Sequence, residues 1–261
     1  MKKIIALLLA LVMVFALCAC GETKTEEQPQ TEEPEGEEVV VDEPTTEEPA
    51  AEGVMSYAEY AAAEMDSPVV IEAYVQGHQS WWDGKVTVYA QDPDGAYFIY
   101  EMTCSEEDAA KLVPGQKIRV TGYKTEWEGE VEIASGSTFE FVEAEPWIAE
   151  PVDATAAWGT VDLINYQNQL VIFKDVTVEP YDETGAAFAY KNAEEKTDDL
   201  YFKVTIGDTT YDFCVEYYLC GNDTEVYKAV EGLEAGQTVD LVGFLYWYNG
   251  PNLHTTAVIT K

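Results

Sequence analysis

One stretch of 19 residues occurs twice in this chain, in related form and without a gap. KLVPGQKIRVTGYKTEWEG, residues 111–129, aligns with GLEAGQTVDLVGFLYWYNG, residues 232–250, at a constant offset of 121 residues. The match continues upstream, where a Phe, a Glu and a Cys recur with one residue inserted in the second copy. Because self-similarity at a fixed spacing is the mark of a duplicated unit, the chain is predicted to fold as two homologous domains of roughly 100 residues each.

The first copy shows the order of elements within one unit. Apolar residues alternate with polar ones in five short runs, which predicts five strands near residues 69–75, 86–90, 98–102, 118–122 and 131–133. Between the third and fourth runs, Ser105 is a helix N-cap followed by acidic residues, and Pro114 ends the short helix. Three strands, a helix and two strands is the order of the OB-fold, a five-stranded Greek-key barrel. The predicted fold class is therefore mainly β, with two tandem OB-fold-like barrels.

The second copy departs from the first in its central hairpin. Residues 200–217 contain two alternating runs around Ile206-Gly207-Asp208-Thr209, which predicts a longer hairpin, while residues 186–191 form a weakly marked second strand. Pro146 and Pro151 flank a turn, so we place the domains at 54–148 and 149–261.

The Gly-Gln-x-hydrophobic-x-hydrophobic-x-Gly-aromatic fourth strand after a short helix carries a family resemblance. From about Met55 to Lys261 the chain resembles lipoproteins of Gram-positive gut bacteria that contain tandem OB-fold domains. The resemblance implies the fold and an envelope location. It says nothing about a ligand, because OB-folds serve many functions.

The first 20 residues predict export. Lys2 and Lys3 precede an apolar run that is too short to span a bilayer, which is typical of a secretory signal peptide over residues 1–19. The ending Leu17-Cys18-Ala19-Cys20 resembles the bacterial lipoprotein box, which implies cleavage before Cys20 and lipidation of that cysteine. We therefore expect a lipid anchor on the extracytoplasmic face of the cell membrane, or else an ordinary signal peptide cut nearby.

Residues 20–53 predict a disordered, acidic tether rich in Glu, Pro and Thr, because they hold too little apolar surface to offset the entropy of ordering. The whole chain has 14 basic and 50 acidic residues, a formal net charge of −36. From Val54 onward, 37 acidic and 11 basic residues remain. Such a surface repels polyanions, so nucleic acid is not the expected partner.

Residues able to carry catalysis are scarce. The chain has only His78 and His254, and it lacks phosphate-loop, dinucleotide, zincin and nucleophile-elbow motifs. Cys104, Cys214 and Cys220 are too few and too widely spaced for a metal site, and their disulfide status is left open. We expect no catalytic residues, no metal and no cofactor.

Aromatic residues are the candidate ligand-binding groups. Two tryptophans lie in the loop after the first strand of the first domain and a third lies at its last turn, and these loops flank the binding face of an OB-fold. Two tyrosines on the second and third strands are predicted to point outward between the loops, because Val86, Val88, Phe98 and Tyr100 are assigned to the inward phase. The predicted ligand-binding residues are Trp81, Trp82, Tyr89, Tyr97 and Trp127, with Trp247 and Tyr248 in the second domain. Barrel packing is the alternative role for these rings.

Three functions are compatible with this sequence. The first is a non-catalytic binding module for an oligosaccharide, a peptide or a protein partner, with a cell-envelope glycan or protein among the candidates. The second is a single-stranded nucleic-acid binder, with Lys85, Lys117, Arg119 and Lys124 meeting phosphate. The third is a structural or interaction protein of the envelope without a ligand groove.

Overall fold

The computed structural model describes residues 53–192 and 197–261 of the chain, which fall within one compact unit, Glu48–Lys261. The predicted signal peptide, the predicted lipidation site Cys20 and the tether up to residue 52 lie outside the described residues. Among the residues described, no helix is long and apolar enough to cross a membrane.

The first barrel is a closed ring of five strands. Its elements in chain order are α1 (Tyr57–Ala62), β1 (Pro68–His78), β2 (Lys85–Gln91), β3 (Ala96–Thr103), α2 (Glu106–Ala109), β4 (Lys117–Trp127), β5 (Glu130–Ile133) and β6 (Thr138–Phe141). The five strands of the ring pair in the order β1-β2-β3-β5-β4, and β4 pairs again with β1 to close the ring. The β3–β5 pair is parallel and the other pairs of the ring are antiparallel. Strand β6 pairs with residues 118–121 of β4.

The second barrel repeats this ring with additions. Its elements are β7 (Val152–Asp153), two 3-10 helices (Thr155–Ala157 and Val161–Tyr166), β8 (Leu170–Glu179), β9 (Phe188–Tyr190), β10 (Leu200–Ile206), β11 (Thr209–Val215), α3 (Glu225–Glu231), β12 (Thr238–Trp247) and β13 (Pro251–Thr260). The ring strands pair in the order β8-β10-β11-β13-β12, and β8 pairs with both β10 and β12. The predicted fold class, two OB-fold-like barrels each with a helix between the third and fourth strands, is confirmed.

The prediction that residues 186–191 form the second strand of the second barrel is wrong. The barrel strand in that position is β10, whose Leu200, Phe202 and Val204 are fully buried. Segment 188–190 forms only the short strand β9, which pairs with the first three residues of β10. Strand β10 has the longer alternating run, so one of its faces is buried in the core. The three residues of β9 are only half-buried, so placing β9 in the ring would bury less apolar surface.

The repeated fourth-strand glycine has a steric reason. A Cβ added to Gly122 in β4 would lie 2.6 Å from Cγ2 of Ile133 and 2.8 Å from Cβ of Ser137. At the equivalent Gly243 in β12, a Cβ would overlap the backbone of His254 in β13. In both barrels, therefore, the fourth strand crosses its neighbour closely at a residue without a side chain.

The two barrels contact each other through a small apolar cluster made by Tyr89, Phe98 and Phe244. Polar contacts flank it. The backbone N–H of Trp247 donates to Glu130 Oε2 at 2.8 Å, and the N–H of Asn249 donates to the carbonyl of Glu128 at 2.7 Å. This junction fixes the β4–β5 turn of the first barrel against the second barrel.

Candidate functional site

A groove lies beside the junction of the two barrels, and we call it the junction groove. It consists of two cavities of about 380 Å³ each, which share Gln79 and Tyr100. The first cavity is also lined by Ser80, Trp82, Lys85, Val86, Thr87, Glu101 and Tyr218. The second is also lined by Phe98, Trp127, Glu132, Tyr246 and His254. Because two residues are common to both, the cavities adjoin along β3.

Trp82 stands at the rim of the first cavity. It precedes a two-residue turn made by Asp83 (φ 46°) and Gly84 (φ 80°), a conformation that Asp-Gly adopts readily in tight hairpins. The turn is closed by hydrogen bonds between the backbones of Trp82 and Lys85, at 3.0 and 2.9 Å. The Trp82 side chain is therefore held at a turn tip, where it is 78% exposed.

Trp81 has a different environment from its neighbour. Its indole N–H donates to the carbonyl of Cys104 at 2.8 Å, next to the start of α2, and the residue is 36% exposed. It lines neither cavity of the junction groove. Trp81 thus braces the loop, and Trp82 is the more exposed of the two rings.

Trp127 stands at the rim of the second cavity. It ends β4 immediately before a turn with Glu128 (φ 51°) and Gly129 (φ 92°), and it is 53% exposed. Its ring lies 5.3 Å from that of Tyr248, which occupies the equivalent position of the second barrel and is 52% exposed. The exposed rings at the last turns of the two barrels therefore pack against each other.

The prediction that Tyr89 lines an open groove is wrong. Its side chain does point away from the core of the first barrel, but the second barrel covers it and leaves 1% exposed. The ring stacks on Phe244 at 4.5 Å, and the hydroxyl oxygen lies 2.6 Å from Nδ1 of His254. Tyr89 belongs to the barrel junction because the outer face of β2 is the face that the second barrel buries.

The prediction for Tyr97 is wrong for another reason. Glu101 has a left-handed φ of 43°, and the β2–β3 register shifts there, from Val86↔Met102 to Val88↔Ile99. Such a bulge inverts the phase of every residue on one side of it. Tyr97 consequently points into the core below α1 and is 1% exposed.

The same bulge brings Tyr100 to the surface. The alternation pattern predicts that Tyr100 points into the barrel, but the residue is 40% exposed and lines both cavities. Tyr218 and Tyr246, from the second barrel, complete the aromatic lining. Sequence reasoning missed Tyr100 and Tyr218 as site residues, because their positions depend on the bulge and on how the barrels pack.

Trp247 is half-buried and does not line the junction groove. Its ring packs against the core of the second barrel. A Cβ added to Gly129 would lie 2.8 Å from Trp247 Cδ1, so Gly129 allows the two turns to approach. Trp247 is placed as a junction residue, while its neighbour Tyr248 is exposed.

The titratable groups of the groove carry little positive charge. Burial raises the pKa of Glu132 to about 7 and lowers the pKa of His254 to about 4, so His254 is neutral at neutral pH. Lys85 Nζ donates to Glu101 Oε2 at 2.8 Å, and this bond lowers the pKa of Glu101. The lysine that lines the groove therefore has a carboxylate partner.

The other basic residues of the first barrel are also engaged. Lys117 and Arg119 both pair with Glu72, at 3.0 and 2.6 Å. Lys124 is 3% exposed, and its Nζ donates to the carbonyls of Tyr60, Ala61 and Ala63 near the end of α1. These cations do not form the basic patch that a phosphate backbone would require.

The three cysteines after residue 53 are free thiols. Burial raises the pKa of Cys104 and of Cys220 to about 11, and it raises that of Cys214 as well, so all three are protonated at neutral pH and are poor nucleophiles. In the described part of the chain, no group of three or more His, Cys, Asp or Glu residues is placed to hold a metal ion.

Comparisons with known proteins give only distant likenesses. No protein-family model matches the chain, and no curated protein does. Among solved structures, a murine DNA-binding protein bound with double-stranded DNA has 12% identity and a TM-score of 0.33, over 75% of this chain and 96% of its own. The p204 HINb domain has 14% identity and a TM-score of 0.34, over 75% and 98%. The Ifi202 HINa domain in complex with 20-bp double-stranded DNA has 11% identity and a TM-score of 0.31, over 76% and 98%. At these values the likenesses carry no argument about the ligand of this chain.

Proposed function

We propose that the protein is a non-catalytic binding module that holds a neutral ligand in the junction groove, either an oligosaccharide or a segment of a peptide or protein partner. The observation that carries this proposal is the exposure of Trp82 and Trp127 at the rims of two adjoining cavities. An exposed tryptophan keeps a large apolar surface in water, and a ligand with an apolar face relieves that cost.

The charge of the chain supports a neutral ligand. From Val54 onward the chain has 37 acidic and 11 basic residues, so the domains are strongly acidic. A negative field of this kind opposes the approach of a polyanion but leaves an uncharged sugar or peptide unaffected. The pairing of Lys85, Lys117 and Arg119 with carboxylates weighs against the single-stranded nucleic-acid alternative.

The predicted location also belongs to this proposal. A lipid on Cys20 would hold the module on the extracytoplasmic face of the membrane, with the acidic tether as spacer. Replacing Cys20 by serine is expected to release the protein from the membrane fraction, and labelling with a fatty-acid analogue is expected to disappear. Retention of both would contradict lipidation at this residue.

The binding proposal is tested by tryptophan fluorescence of the chain from Gly21 to Lys261. We expect neutral oligosaccharides or short peptides to change the emission in a saturable way, and Trp82→Ala to weaken that binding by about tenfold or more. Tyr123→Ala is the matched control, because Tyr123 is 59% exposed and lines neither cavity.

The other outcomes separate the alternatives. Binding of single-stranded oligonucleotides alone, with affinity that falls steeply as salt is added, would replace our proposal with the nucleic-acid function. No response to any of these ligands would favour an interaction protein of the envelope.

A further inference from the structure

A second aromatic cavity lies on the second barrel, and we call it the tyrosine cavity. It has a volume of about 510 Å³, and its lining includes Tyr181, Tyr201, Tyr211, Tyr248, Asp212 and Asn252. It opens where β11 and β13 diverge, since these two strands pair only at Cys214 and His254. None of the residues assigned to ligand binding from sequence lines it except Tyr248.

The tyrosine cavity and the junction groove are linked by one pair of neighbouring rings, which are tilted 35° to each other. Tyr248 lines the tyrosine cavity, Trp127 lines the groove, and their ring centroids are 5.3 Å apart. Both rings are more than half exposed. A linear ligand that lies in the groove can therefore continue over this ring pair into the tyrosine cavity.

The tyrosine rings are held in place before any ligand binds. The Tyr201 hydroxyl donates to Asp199 Oδ2 at 3.2 Å. The Tyr211 hydroxyl accepts from the backbone N–H of Gly159 at 3.1 Å, and its ring packs 4.5 Å from Trp158. Fixed rings lose little entropy on binding, which favours recognition by stacking.

Polar groups in the cavity are suited to hydroxyl ligands. Asn252 Oδ1 is buried and has no hydrogen-bond partner among the described residues, so a donor from a ligand would satisfy it. Burial raises the pKa of the Asp212 carboxyl, although nearby Lys203 opposes the shift. Lys203 Nζ itself donates to the carbonyl of Tyr181 at 3.0 Å and lies 4.7 Å from the Tyr181 ring.

This lining favours a sugar over a peptide. Among the described residues, no Leu, Ile, Val, Met or Phe side chain lines the cavity and Pro251 is its main aliphatic group, so it lacks the aliphatic pocket that usually anchors a peptide side chain. Flat rings beside amide and carboxyl groups fit a molecule that has apolar ring faces and peripheral hydroxyls. Among the described residues, no Lys or Arg side chain lines the cavity to attract an acidic glycan.

We propose that the tyrosine cavity is a second subsite, and that the ligand is a linear neutral oligosaccharide long enough to occupy the junction groove and this cavity together. This inference rests on the proposed function and adds the class and the minimum extent of the ligand. Two subsites on one chain make binding stronger for longer oligomers, because occupying the first raises the local concentration at the second.

The test is a titration with oligomers of increasing length, using neutral glucose oligomers and N-acetylglucosamine oligomers. The chain from Gly21 to Lys261 is expected to bind the longest oligomer at least about tenfold more tightly than a disaccharide. Tyr181→Ala is expected to remove this length dependence and to leave disaccharide binding within about twofold. Tyr181→Phe keeps the aromatic ring, so this variant is expected to retain the length dependence. Comparing the two variants separates the loss of ring contact with the ligand from a general loss of folding.

The outcomes distinguish the two proposals. If oligomers bind, Trp82→Ala weakens them, and the Kd does not depend on length or on Tyr181, the second subsite is wrong and the groove function stands. If no oligomer of any length binds, the second-subsite proposal fails, and the groove function stands only if a short neutral peptide binds and Trp82→Ala weakens that binding. Saturable binding of a proline-rich peptide at Tyr181, without binding of any oligosaccharide, would overturn the assignment of the ligand class.

Discussion

At the scale of single residues, the junction groove contains two buried titratable groups whose pKa values move in opposite directions. Burial favours the neutral form of each, so the pKa of the Glu132 carboxyl rises to about 7 while that of His254 falls to about 4. Both side chains are less than a tenth exposed. Near neutral pH, Glu132 is therefore the group whose charge changes.

The raised pKa of Glu132 predicts that Glu132→Gln changes the free energy of unfolding by an amount that depends on pH. The folded chain keeps the Glu132 proton up to a pH near 7, whereas an unfolded carboxyl loses it near its ordinary pKa of 4.5. Wild-type stability at this site is thus full below about pH 4.5 and falls as the pH rises to 7. Glutamine mimics the protonated form, so Glu132→Gln is expected to be more stable than wild type by about 1–3 kcal/mol at pH 8 and equal to it near pH 4.

Urea unfolding at both pH values measures this effect. Glu140→Gln is the matched control, because Glu140 lies exposed on β6, and it is expected to change stability little at either pH. A destabilised Glu132→Gln at pH 8 would mean that the carboxylate is held by partners, contrary to its raised pKa.

At the scale of elements, the repeat and its alternation were sufficient to predict the two barrels but not the phase of every strand. The five strands, the Ser105 N-cap and the tight turn before Lys85 follow from local patterns. The bulge at Glu101 has no local sequence signal, because Glu rarely adopts a left-handed φ, and it exchanges the positions of Tyr97 and Tyr100. The alternation pattern therefore predicts which side chains of β3 face the core on only one side of the bulge.

The fourth-strand glycines give a prediction at this scale. Gly122→Ala is expected to lower the free energy of unfolding by about 1–3 kcal/mol, because its Cβ would meet Ile133 and Ser137 inside van der Waals contact. Gly232→Ala is the control, since Gly232 has a φ of −93° and its nearest neighbour atom is at an ordinary 3.4 Å. Chemical denaturation compares the two. Equal, small effects would show that the close strand crossing is not needed.

At the scale of the whole molecule, the packing of one barrel on the other decides which aromatic residues a ligand can reach. Tyr89 was correctly placed on the outer face of β2, yet the second barrel buries it. Trp82 and Trp127 stay exposed because they lie at turn tips beside the junction. Contacts between barrels depend on surface shape across distant segments, which a strand pattern does not encode, so this part of the site could not be predicted.

The junction predicts that the two barrels unfold together. Phe244 is 4% exposed and stacks on Tyr89, so Phe244→Ala is expected to cost about 3–5 kcal/mol and to split a single thermal transition into two. Ile259→Ala, at an exposed position of β13, is expected to change stability by less than about 0.5 kcal/mol. Calorimetry is the measurement. Two transitions already present in the wild-type chain would contradict the coupling.

The claim that a neutral ligand binds to the exposed rings is tested most directly by titrating oligosaccharides into wild type and Trp82→Ala at low and high salt. Our interpretation predicts saturable binding to wild type with a Kd that is almost independent of salt, and binding to Trp82→Ala that is at least about tenfold weaker. Equal binding by the two proteins, or wild-type binding that disappears as salt is added, would contradict it.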